Sequence, residues 1–194
     1  MKKVELSDIK NIYEYEKTRK DFQNRIIELK KHRRVSVGDR ITLVFENRDT
    51  VIFQIQEMMR AERLVDDKAI QAEIDVYNDL IPDEGELSAT LLVEIREKDK
   101  IKPYLDSLIG LDKGFVFMRI GEQHSIPAIF EVGHSEDNRI SAVQYVRFKL
   151  TPEQQEMLCS GKETIQITID HPNYKHSAVV PDDVLQSLGE DLSA

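Results

Sequence analysis

The sequence predicts an α+β fold: N-terminal helices, a long helix plus a helical hairpin, packed with a mainly antiparallel sheet from the C-terminal half. Three observations predict it. Up to Pro82, apolar residues recur mostly at spacings of three and four, the period of a helix with one buried face. Beyond Pro82 the chain breaks into short runs that alternate every second residue and are separated by turn-forming residues. No internal repeat or low-complexity tract disturbs that order. We therefore read residues 1–194 as one unit, with a mainly helical part, 1–82, and a mainly β part with short helices, 83–194.

The elements follow in order. Ile9, Ile12 and Tyr13, then Phe22, Ile26, Ile27 and Leu29, outline a long first helix for which Ser7-Asp8 is a suitable start. It ends in Lys30-Lys31-His32-Arg33-Arg34, where cations complement the negative end of the helix dipole, and the run reads as a solvated terminus. Val35 to Asp39 reads as a turn on Gly38 and leads to a β-branched strand, Ile41 to Phe45. The stretch Phe45 to Arg63 organises the chain. At about 100° per residue, Val51, Ile52, Ile55, Met58 and Met59 share one helical face, and Gln56, Glu57, Arg60 and Arg63 share the other. Asn47 or Asp49 is placed to cap this helix, and Asp66-Asp67 opens its hairpin partner, which Pro82 stops.

In the second half, Leu87 to Ile95 is a buried strand, and a short helix around Ile101 to Ile109 follows, ended by Gly110. Phe115 to Ile120 and Ser125 to Phe130 form a hairpin, with Pro127 marking a sheet edge. In Ile140 to Leu150, Val143, Tyr145 and Arg147 point one way and Gln144, Val146 and Phe148 the other. Thr151 caps a short helix with Pro152 at its first position and Gly161 at its end. Thr164 to Ile169 is a half-buried strand, Asp170 to His176 a turn, Ser177 to Val180 a return strand, and Pro181 to Leu188 a terminal helix.

Composition bounds the function. A net charge of −9 and the absence of tryptophan leave neither a broad positive field nor an indole platform for nucleic acid, and the basic run near His32 lacks interleaved aromatics. No apolar run approaches the roughly 20 residues of a membrane span, and the amino terminus lacks a secretory apolar core, so the expected compartment is the cytoplasm. The single cysteine, Cys159, is one thiol too few for an internal disulfide and reads as a bystander.

The segments FENRDTVIFQIQEMMRAER, EIDVYNDLIPDEGELSATLLVEI, RISAVQYVRFKL and IDHPNY resemble the bacterial family catalogued as domain of unknown function number three thousand five hundred and one. The resemblance spans nearly the whole chain. It implies an accessory role beside rubrerythrin-like proteins and iron-sulfur oxidoreductases resembling heterodisulfide reductase subunits, and it carries no assigned catalytic residues.

Two constellations are candidate sites. Glu46, Arg48, Asp49, Gln56, Glu57, Arg60 and Arg63, with Glu86 from the Asp83 to Glu86 loop, form a polar surface around the central helix. One reading is a solvated face with exposed ion pairs. The other is a cleft or interface in which Arg48, Arg60 and Arg63 hold an anionic ligand or a partner's carboxylates. His171 and His176, five apart across a turn with Asp170 adjacent, are the candidate ligands for a divalent metal such as zinc or iron. The other histidines, His32, His124 and His134, read as linker residues. No nucleophile elbow, phosphate loop or dinucleotide fingerprint is present. Three classes of function stay open: an accessory partner of an iron-sulfur or rubrerythrin-type redox system, a metal-assisted enzyme, and a homo-oligomeric structural protein.

Overall fold

The computed structural model describes residues 1–131, 133, 135, 136 and 139–193, with the backbone alone at 135 and 136. Helix α1 spans Ile12–Lys31, α2 Arg48–Glu62 and α3 Asp67–Asn78. Strands β1 Arg34–Val37 and β2 Ile41–Glu46 separate α1 from α2, and β3 Glu86–Val93 follows α3. Next come α4 Ile101–Ser107, β4 Val116–Ile120, β5 His124–Pro127, β6 Ile129–Phe130, β7 Ser135–Glu136, β8 Arg139–Ile140 and β9 Val143–Lys149. Helix α5 Pro152–Ser160, hairpin β10 Ile165–His171 and β11 Tyr174–Val179, and α6 Asp182–Leu192 complete the chain. The fold is α+β, as the sequence predicts.

A five-stranded antiparallel sheet, β1-β2-β3-β9-β6, lies against a four-stranded one, β11-β10-β4-β5. Alternation along each strand decides what lies between them. Leu43, Phe45, Leu87, Ala89, Val146 and Phe148 come from the first sheet, and Val116, Met118, Ile165 and Ile167 from the second, all within one core. Pro127 sits on the edge strand β5, and the chain crosses to the first sheet at Ala128. A second, smaller core joins Val51, Ile55 and Met59 of α2 to Ile70 and Ile74 of α3, and Tyr145 packs against it from the outer face of β9. The helices thus cover the far side of the five-stranded sheet.

Several local expectations give way to tertiary structure. Helix α1 starts at Ile12, capped by the Asn11 side chain, whereas Ser7 and Asp8 lie in a separate 3-10 turn, Leu6–Asp8. Arg34–Val37 is a strand, not a turn, because Val35 and Val37 alternate into the core; Gly38 pivots the hairpin just beyond. The run Lys30 to Arg34 is not a solvated terminus throughout, since Arg33 is 1% exposed and bound to Asp191 of α6. Residues Asp170 to His176 are mostly ladder, with His171 facing Tyr174 and the turn confined to Pro172-Asn173. The Thr151, Pro152 and Gly161 signals bound α5 as expected.

Candidate functional site

The corner between β2 and α2 is built by reciprocal capping. Asn47 accepts from the Thr50 amide at 3.1 Å, and Thr50 Oγ1 accepts from the Asn47 amide at 2.9 Å. This fold-back places Thr50 over Glu46. The Glu46 carboxylate, only 3% exposed, accepts hydrogen bonds from Thr50 Oγ1, from Gln54 Nε2 at 3.1 Å and from Thr90 Oγ1 at 2.6 Å. Among the described residues its donors are hydroxyls and an amide, and no cation pairs with it.

Along α2, the polar face meets α1. Glu57 accepts from Arg19 through two bonds, Nε at 2.8 Å and Nη2 at 2.7 Å, and from the Tyr15 hydroxyl at 2.6 Å. Arg60 pairs with Glu16, and Arg48 at the helix start pairs with Asp8. Gln56, expected on the solvent side, is 2% exposed because its amide bonds both the N–H and the C=O of Lys10 at 2.9 Å. Asp49 lies 3.8 Å from Arg25, and Arg63 is exposed at the end of α2 with a left-handed φ of 55°. Glu86 stands apart, on the outer face of β3, where Arg147 and Lys149 reach it at 3.0 and 3.5 Å.

Between α1, α2 and the N-terminal turn lies a cleft of about 450 Å³ lined by Asp8, Lys10, Asp21, Phe22, Arg25 and Ile52, with Gln56 and Thr18. The Arg25 guanidinium stands 4.9 Å over the Phe22 ring, which meets Tyr15 and Phe53 edge to face. The Arg48 Nε is buried with no hydrogen-bond partner among the described residues. Sequence reasoning named Arg48, Asp49 and Gln56 but missed Tyr15, Arg19, Phe22 and Arg25. The signal lay in the four-residue spacing of Tyr15 and Arg19, which puts both on the α1 face that covers α2.

The Arg19 pair, and to a smaller extent the Tyr15 hydroxyl, hold the Glu57 carboxyl below the usual 4.5, against the upward push of burial. A lowered folded pKa stabilises the protein above the unfolded value, and this contribution is lost as pH falls through the folded one. Glu57→Gln should therefore lower the urea midpoint at pH near 7. The gap from wild type should close on acidification below the ordinary glutamate value, since the wild type then loses the same contribution. An equal gap at acid and neutral pH would contradict the assignment.

The β10–β11 hairpin does not gather the three metal candidates on one side. Asp170 pairs with Lys175 at 2.8 Å, in register on one face, whereas His171 stands in the next row with Tyr174. Both nitrogens of His171 have partners, Nε2 the Ile109 carbonyl at 3.2 Å and Nδ1 the Asn173 amide at 3.3 Å. His176 stacks on Tyr174 with ring centroids 4.5 Å apart. Among the described residues, no group of three or more His, Cys, Asp or Glu is placed to hold a metal ion. His32 contacts Asp183 at 2.7 Å, and His134 lies outside the described residues. No described helix is long and apolar enough to cross a membrane.

Comparison with curated proteins finds no match. A solved structure does match: a novel protein of unknown function from Burkholderia pseudomallei K96243, 33% identical, with a TM-score of 0.92. The alignment covers 98% of this chain and 100% of that one. The family model described as "Protein of unknown function (DUF3501)" matches residues 3–192, so the chain belongs to the DUF3501 family.

Proposed function

We propose that this protein is an accessory binding partner of an iron-sulfur or rubrerythrin-type oxidoreductase, and that it docks through the cleft between α1 and α2. The class of partner comes from the family resemblance; the docking surface comes from the geometry. The observation that carries the surface is the Arg25–Phe22 stack on a cleft of about 450 Å³. Arginine and aromatic side chains at a half-buried concavity are the combination that most often dominates association energy.

The charges around the cleft are mostly held in place. Glu57, Arg60 and Arg48 are spent on α1 and the N-terminal turn, which makes them the frame of the surface. Arg25 is different, because its only ion pair among the described residues is the 3.8 Å contact with the half-exposed Asp49. In a solvated pair of that length the attraction is weak, so the guanidinium is available to a partner's carboxylate at little cost.

Affinity capture from the native host tests this reading. The wild type should co-purify an oxidoreductase at moderate salt, and Arg25→Glu should reduce its recovery at least about tenfold, the equivalent of about 1.4 kcal/mol. Arg60→Ala, which removes the ion pair with Glu16, should reduce it far less. Equal recovery with Arg25→Glu would remove this surface, and failure to recover any oxidoreductase across salt conditions would remove the partner class.

A further inference from the structure

The two most exposed large apolar side chains among the described residues, Tyr13 at 81% and Val65 at 76%, border the same groove. Tyr13 lies in the first turn of α1, and Val65 in the link between α2 and α3. The groove, of about 380 Å³, is lined on its apolar side by Leu6, Ile9, Met59, Leu64 and Ile70. All five belong to the smaller core or pack against it. Large apolar side chains standing in water beside an apolar hollow mark a surface that another surface covers.

The charges around the groove select what covers it. Its N-terminal wall carries Lys10 and Glu14; its α2–α3 wall carries Asp67, with exposed Arg63 and Lys68 flanking it in the chain. None of these five forms an ion pair among the described residues, and the Lys10 ammonium donates to a hydroxyl, Thr18 Oγ1, at 3.1 Å. Unpaired charge of both signs on each wall suits neither a purely basic nor a purely acidic partner, since either would set like charges face to face. A two-fold axis meets the condition by itself, because it places residue i of one chain against j of the other and j against i.

We propose that this groove is the contact between two copies of this chain, related by a two-fold axis beside Tyr13. Each Tyr13 ring enters the other copy's groove next to Val65, its apolar body covered and its hydroxyl at the wet rim. The segment Lys10 to Glu14 then faces its own counterpart with opposite signs paired. Arg25 lies outside this groove's lining, so Arg25→Glu should leave the association unchanged, and this proposal and the α1–α2 docking surface fail separately.

The experiment is sedimentation velocity on the untagged full chain over a range of concentrations at moderate salt. The mass should rise from one chain to two with concentration and rise no further. Tyr13→Ser should weaken the association at least about tenfold, since the change enters twice across the axis. Tyr13 is exposed and makes no hydrogen bond among the described residues, so the variant keeps its fold. Lys10→Glu and Glu14→Lys should each weaken self-association, and an equimolar mixture of the two should restore it, because only the mixed pair sets opposite charges face to face. A chain that stays single at millimolar concentration, with or without another protein bound at Tyr13, would overturn the proposal. So would a dimer indifferent to Tyr13→Ser, or a mixture of the charge-reversed variants that associates no better than either alone.

Discussion

Asp191→Ala is expected to lower the unfolding free energy by about 3–5 kcal/mol, read as a fall in urea midpoint at neutral pH. The reason is the partner it leaves behind. Arg33 is 1% exposed and donates to the Phe45 carbonyl at 2.8 Å, the Glu46 carbonyl at 3.0 Å, Ser187 Oγ at 2.9 Å and the Asp191 carboxylate. Without Asp191 its positive charge stays inside the protein with neutral acceptors only, and desolvation is no longer offset. Arg33 ties the end of β2 to α6, so the same change should loosen the C-terminal helix, visible as faster amide exchange across Asp182–Leu192. Replacing both partners with apolar residues, Arg33→Met with Asp191→Leu, should recover much of the loss, because a buried pair gains little over a well-packed apolar one. A midpoint unchanged by Asp191→Ala would mean that α6 docks by packing alone.

Gly38→Ala should cost about 2–3 kcal/mol and lower the thermal midpoint. Two effects act together. The backbone is left-handed there, with φ +73°, a conformation that disfavours any Cβ. A methyl group would also lie 2.4 Å from the Tyr174 hydroxyl and 2.7 Å from His176 Cγ. That hydroxyl donates to the Val37 carbonyl at 2.6 Å and accepts from the Arg40 amide at 3.1 Å, so it clasps the β1–β2 turn to β11. Tyr174→Phe keeps the ring and removes both bonds. It should cost about 1–2 kcal/mol, and combined with Gly38→Ala the losses should fall short of additive because both changes break the same clasp. Full additivity would show that the turn and the hydroxyl act separately.

These two positions also mark the boundary of what a linear reading reaches. Gly38 was legible as a pivot; its dependence on a tyrosine 136 positions away was not. The basic run ending α1 looked like a solvated terminus because nothing local distinguishes Arg33 from Lys31. Only the approach of α6 buries one and leaves the other beside Glu28. In the candidate site, Glu57 and Arg60 were found from their polarity, whereas Tyr15, Arg19 and Arg25 were passed over as ordinary residues of a long helix. Gln56 was placed on the wet face by periodicity and turned out buried, since an amide can satisfy its own burial by bonding a neighbouring backbone. For the histidine hairpin, strand alternation sets Asp170 and His171 on opposite faces, a consequence of continuing the ladder to His171 that a turn assignment hides.

The sequence by itself determined the fold class, the order of the helices and of most of the strands, Asn47 as one of two candidate caps of α2, the capping of α5, and the faces of β9. These follow from periodicity and short-range hydrogen bonding, which act within a few residues and are written locally. The tertiary structure alone decided which charges are spent on one another, that a cleft opens between α1 and α2, and that Arg33 is interior. Those outcomes depend on partners far apart in the chain, and a charged or polar side chain takes its energy from the groups that surround it in space and not from its neighbours in sequence.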